Sequence, residues 1–204
     1  MPRGFRGLEL ILIGIMAAVG AIAWELSALL VAAETHVGHE EAVVHNAVAT
    51  VVVILGVLLA AVGTRLILRS RFEAPEGYAL LVASSAMFAD GILHLEVVGE
   101  HLQILPYAIF FVAAGGTQLA LGFGLLRARP LVYLVSSLVT IMLIVIFFVA
   151  RFVALPFSEG VESFEAIGLL SKALEFAALS AVVFLLARWR DLRAEVGGRK
   201  PSGG

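Results

Sequence analysis

Residues 131–155 read Leu131-VYLVSSLVTIMLIVIFFVARFVA-Leu155, and the first twenty of them carry no charge. A helix rises about 1.5 Å per residue, so some 20 such residues cross the roughly 30 Å of a bilayer's hydrocarbon core. No two-residue alternation of apolar and polar side chains runs through the stretch, which sets aside the strand of a membrane β-barrel. The segment reads as a membrane-spanning helix.

Five further segments of the 204-residue chain read the same way. They are Leu8–Ala33, Ala42–Leu68, Tyr78–Val98, Ile104–Leu126 and Ala166–Ala187. The links between them are short. Residues 69–77 contain Pro75 and Gly77, residues 127–130 form a tight turn, and residues 157–165 follow Pro156, which is placed to end the fifth span. The predicted fold is all-α: an integral membrane bundle of six transmembrane helices over residues 1–196, arranged as three hairpins. A flexible tail covers residues 197–204. The basic, apolar start resembles a secretion signal, but its apolar run continues to Ala33, too long for one, so it reads as an uncleaved first span.

Composition agrees. The chain is 61% hydrophobic and 15% charged, against about 25% charged in soluble domains. It holds no cysteine, which removes disulfides, thiolate metal sites and cysteine-ligated clusters. No basic arm or aromatic–basic ladder points to nucleic acid.

The arginines set an orientation. Arg3 and Arg6, then Arg65, Arg69 and Arg71, then Arg127 and Arg129, then Arg188, Arg190, Arg193, Arg199 and Lys200 fall on one side of a six-span map. They are 12 of the 14 basic residues. The positive-inside rule makes that side, with both termini, cytoplasmic. The expected location is the cytoplasmic (inner) membrane of a prokaryote. The opposite, outward side holds Glu34, Glu40, Glu41, Glu96, Glu100, Glu159, Glu162 and Glu165, and all five histidines.

Those histidines form two clusters. In the first, His36, His39 and Glu40 stand at i, i+3 and i+4, and Glu41 and His45 at i, i+4. Such spacings share a helix face. In the second, Asp90 and His94 stand at i, i+4, Glu100 precedes His101, and His101 stays on the face of His94 if the helix continues past Gly99. Imidazole and carboxylate at these spacings suit a divalent transition metal such as Zn, Cu or Fe. The candidate ligands are His36, His39, His45, Asp90, His94, Glu100 and His101. A b-type haem held by two histidines, such as His45 and His94, is the alternative cofactor. Ordinary solvated polar groups at a membrane boundary would give the same composition.

Charges also lie inside the spans: Glu25, Asp90, Arg151, Lys172 and Glu175. Their near balance points to buried pairing, with Glu25–Lys172 able to join the first and last spans, or to a proton or ion relay. Six spans and no aromatic cage argue against a retinal at Lys172. Gln118, beside Gly115, Gly116 and Thr117, makes a polar notch. Gly14 and Gly20, like Gly115, Gly116, Gly122 and Gly124, permit close helix packing.

The pattern His94-Leu95, Glu100-His101, Phe110-Phe111, Gln118 and Arg151-x-x-x-Leu155-Pro156-Phe157 is similar to an uncharacterised family of small multi-pass prokaryotic membrane proteins. The likeness covers about residues 85–180 and implies a fold without an activity. Three functions follow as expectations. One is an outward-facing metal site for metal delivery, uptake or metalloenzyme assembly. Another is a metal- or haem-dependent membrane oxidoreductase. The last is an accessory subunit of a larger membrane complex. Expected partners are the lipid bilayer, the metal ion, and other membrane subunits or a second copy of the chain.

Overall fold

A computed structural model describes residues 10–18, 21–22, 39–68, 74–154 and 166–198, with side chains omitted at 39–52, 68, 100, 166 and 192–198. The regular structure of the described residues is all-helical. Helix α1 covers residues 10–18, and α2 His39–Leu68, α3 Pro75–Glu96, α4 Leu105–Leu125, α5 Pro130–Ala150 and α6 Ala166–Gly198 follow. There is no strand among the described residues. Among the described residues, four helices are long and apolar enough to cross a membrane: Pro75–Glu96, Leu105–Leu125, Pro130–Ala150 and Ile167–Asp191. Val53–Ile67 in α2 is a shorter apolar stretch.

Proline writes the helix starts. Pro75 and Pro130 open α3 and α5, and Pro106 lies in the first turn of α4. Each of the first two follows a residue in extended conformation, Ala74 (φ −119°, ψ 146°) and Arg129 (φ −100°, ψ 134°). A proline disfavours helical geometry in its predecessor while its own fixed φ suits a first turn. Between α4 and α5 the chain reverses at Ala128, whose φ of 52° puts an alanine in the left-handed region.

Two expected boundaries shift. Helix α5 ends at Ala150, before Pro156 can act. The amides of Arg151 and Phe152 bond back three residues to Phe148 and Val149 at 3.0 Å each, the tightening by which a last turn satisfies its carbonyls. Helix α6 runs to Gly198, well past the apolar segment that predicts it and into the expected tail.

Helix α3 is the centre of the bundle and packs on α2, α4 and α6. Of its most apolar stretch 61% is buried, against 33% in each of the other three spanning helices. Helix α5 shows what the outside is. Leu131, Leu138 and Val145 face outward, while Ser136, Ser137 and Thr140 are buried. Water would sort these residues the other way; an apolar surround over polar contacts is what lipid selects.

Close approach of helices rests on glycine pairs. A Cβ on Gly14 would overlap the carbonyl oxygen of Gly56, so α1 and α2 touch backbone to backbone. A Cβ on Gly115 would stand 2.7 Å from the Gly91 carbonyl oxygen, which gives the same kind of crossing between α3 and α4. Gly122 makes room for Phe88, a fully buried ring set edge-on to Phe123 with centroids 4.9 Å apart. Toward the basic end, Leu80, Met87, Leu125, Tyr133, Val182 and Leu185 close the core. At that end Arg188 Nε donates to Glu76 Oε1 at 2.7 Å, tying the late part of α6 to the start of α3.

Candidate metal centre

The Gly91–Gly115 crossing positions the site. Asp90 precedes Gly91, and Gln118 lies one turn beyond Gly115 on the same face. The amide Nε2 of Gln118 donates to Asp90 Oδ2. From the other side α6 brings Lys172 and Glu175, one turn apart, with Lys172 Nζ donating to Glu175 Oε1. All four of these side chains are buried. Asp90 lies six residues before the end of α3, about 9 Å along the axis, so the group is inside the apolar layer.

His94 completes it. Its Nδ1 donates to the Asp90 backbone oxygen at 2.9 Å and stands 3.6 Å from Asp90 Oδ1. That bond assigns the proton to Nδ1 and leaves the lone pair on Nε2. One ligand atom from each of Asp90, His94 and Glu175 falls within 4.8 Å of the others, and all three residues are buried. Such a group could hold a metal ion. Asp90 Oδ1, Glu175 Oε2 and Gln118 Oε1 are buried and have no partner of ordinary hydrogen-bond geometry among the described residues. Buried polar atoms are normally satisfied, at a cost of about 1–3 kcal/mol when they are not. Two carboxylates this close, away from water, repel unless a cation or shared proton lies between them. One imidazole and two carboxylates form a hard-to-borderline donor set, suited to Zn, Fe or Mn.

The remaining predicted residues fall elsewhere. Helix α3 stops at Glu96 and a short 3-10 turn, Gly99–His101, follows, so His101 leaves the face it would share with His94 in one continuous helix. Its Nδ1 donates to the Val97 carbonyl oxygen at 2.9 Å. Its ring packs on Phe111 (4.7 Å between centroids) and Tyr107 (5.9 Å). The Phe111 ring also meets His94, at 6.0 Å, and so touches both imidazoles. Arg151 stacks over Phe147, 4.0 Å from the ring centroid. His39 and His45 lie on the α2 backbone, and Glu100 on the 3-10 turn; their side chains are outside the described ones. His36 and Glu25 lie outside the described residues, and with them the expected Glu25–Lys172 pair and the meeting of the two histidine clusters.

Glu175 is the member that sequence spacing did not assign to a metal. It stands 85 positions from Asp90, and its i, i+3 relation to Lys172 reads as a self-contained ion pair. The available signal was depth: Asp90 and Glu175 are acids at comparable distance from the same end of the bundle. Comparisons of the chain with protein-family models, with curated proteins and with solved structures found no match.

Proposed function

We propose that this is a multi-pass membrane protein that binds a divalent transition metal at Asp90, His94 and Glu175. The observation that carries the reading is the convergence of these three buried groups from two helices, with an oxygen on each carboxylate that finds no hydrogen-bond partner among the described residues. Ionisable side chains within a membrane are costly and are retained where they serve a site. In this reading the chain crosses the cytoplasmic membrane of a prokaryote six times, with both termini inside. The arginine distribution supports that orientation. That orientation would put the Asp90, His94 and Glu175 group in the outer half of the bundle, with His101 on the 3-10 turn beyond the outer end of α3. The role is metal delivery, uptake or supply to a metalloenzyme.

Metal analysis of the full chain, purified without a histidine tag, tests the proposal. The expected result is stoichiometric zinc, iron or manganese, lost on Asp90→Asn, His94→Ala and Glu175→Gln. A metal-free protein that also fails to take up any of the three ions in titration overturns it.

A further inference from the structure

The metal centre contains a cation of its own. Lys172 is 6% exposed, and its ammonium touches Glu175 Oε1, one of the groups offered to the metal. Among the described residues, the titratable side chains around this point are Asp90 and His94 on α3, Lys172 and Glu175 on α6, and Arg151 at the end of α5. Helix α4 contributes the neutral Gln118. With both carboxylates ionised and His94 neutral, Asp90, Glu175 and Lys172 sum to −1. A divalent ion on the same carboxylates places a double positive charge beside an ammonium with little water between them. Coulomb repulsion at a few ångströms and low dielectric is large.

A second partner already lies within reach of the ammonium in the position from which it contacts Glu175. Lys172 Nζ stands 5.1 Å from the centroid of the Phe147 ring, within the range of a cation–π contact. Arg151 holds the same ring at 4.0 Å. Helix α6 comes this near Phe147 because residue 168 is glycine: a Cβ there would stand 2.9 Å from the ring. A four-carbon side chain anchored one turn along from Gly168 can turn from Glu175 to Phe147 without moving its helix.

We infer that Lys172 is a tethered counter-cation of the metal centre: it neutralises Glu175 when the metal is absent and is displaced toward the Phe147 ring when the metal binds. The inference rests on the metal-binding reading and adds a regulation to it. The site is never left as two bare buried carboxylates, and metal affinity is set down to a level from which the ion can leave again. A purely storage site would gain from an apolar residue at 172; a site that passes its metal on gains from the competitor.

The test is zinc titration of the full chain in detergent for the wild type, Lys172→Gln, Phe147→Leu and the double variant. Lys172→Gln is expected to raise zinc affinity about tenfold or more, through loss of the like charge. Phe147→Leu is expected to lower affinity more in the wild type than in the Lys172→Gln background, because the part of its effect that runs through the ammonium is lost there while any effect through Arg151 is common to both. Equal or weaker zinc binding by Lys172→Gln that keeps wild-type helicity and elution overturns the inference while the metal site stands. Absence of zinc binding in every protein overturns both.

A measurement on the wild type covers the case in which Lys172→Gln does not fold. The chain has two lysines, Lys172 and Lys200, so isotope labelling of lysine gives two side-chain signals. Zinc is expected to shift the Lys172 signal and leave that of Lys200 in place. A Lys172 signal unmoved at saturating zinc refutes displacement.

Discussion

Neighbouring glycines in α4 are expected to respond to the same substitution with opposite sign. Gly115 and Gly116 share a helix, a depth and a residue type. A Cβ on Gly115 would lie 2.7 Å from the Gly91 carbonyl oxygen and 2.8 Å from Leu95 Cγ, whereas a Cβ on Gly116 meets nothing within 4 Å. Leu95 can change rotamer, but the Gly91 oxygen is backbone. Relieving that contact to an ordinary separation of about 3.4 Å pushes α3 and α4 apart by about 0.7 Å, and forced overpacking of this kind costs about 1–3 kcal/mol. Alanine returns up to about 1 kcal/mol at either position by stiffening the unfolded chain and favouring helix. Gly115→Ala should therefore destabilise by about 1–2 kcal/mol, and Gly116→Ala should be neutral or stabilise by up to about 1 kcal/mol. The separation also pulls the Gln118 amide from Asp90, so Gly115→Ala should weaken metal binding as well. Thermal unfolding in a fixed detergent, read by helical circular dichroism alongside zinc titration, measures both. If Gly115→Ala unfolds no earlier than Gly116→Ala, the close crossing of α3 and α4 is wrong, and the placement of Asp90 against Gln118 falls with it.

Other expectations use the same unfolding assay. Glu175→Gln removes the carboxylate that contacts the buried Lys172 ammonium, and breaking a buried pair from one side costs about 3–5 kcal/mol. Adding Lys172→Met should recover most of that loss, and a double variant no better than the single would show that the pair is not the cause. Phe88→Ala empties a fully buried position against Gly122 and Phe123, for an expected loss of about 3–5 kcal/mol; a loss under about 1 kcal/mol would contradict the packing there. Ala128→Gly removes a Cβ from a left-handed backbone position and should stabilise by up to about 1 kcal/mol, with no change in zinc affinity because the turn lies at the opposite end of the bundle. A loss of stability would mean that the turn has another shape.

The helices were legible in the sequence because lipid imposes a local rule: each spanning segment must satisfy its own backbone and present apolar side chains over its whole length. The apolar runs 78–98 and 104–126 therefore locate α3 and α4 to within a few residues. Ends were less legible. Pro156 marked a boundary that α5 reaches earlier through its own last turn, and nothing in the apolar count limits α6 once its polar, helix-forming residues begin. Within one helix the site could be read as well, since Asp90 and His94 share a face by their spacing alone.

What spacing does not contain is distance between helices. The sequence by itself determined that apolar helices carry a few expensive charges at similar depth, and that two of them, Asp90 and His94, lie one turn apart. Only the tertiary structure decided which of those charges meet. Gly91 and Gly115 bring α3 and α4 into backbone contact and seat Gln118 on Asp90, and α6 packs on the other side of α3 with Glu175 facing in. The physical reason is that hydropathy is a property of each segment against lipid, whereas a binding site is set by side-chain volumes and backbone approach at helix crossings. Those depend on pairs of residues far apart in the chain.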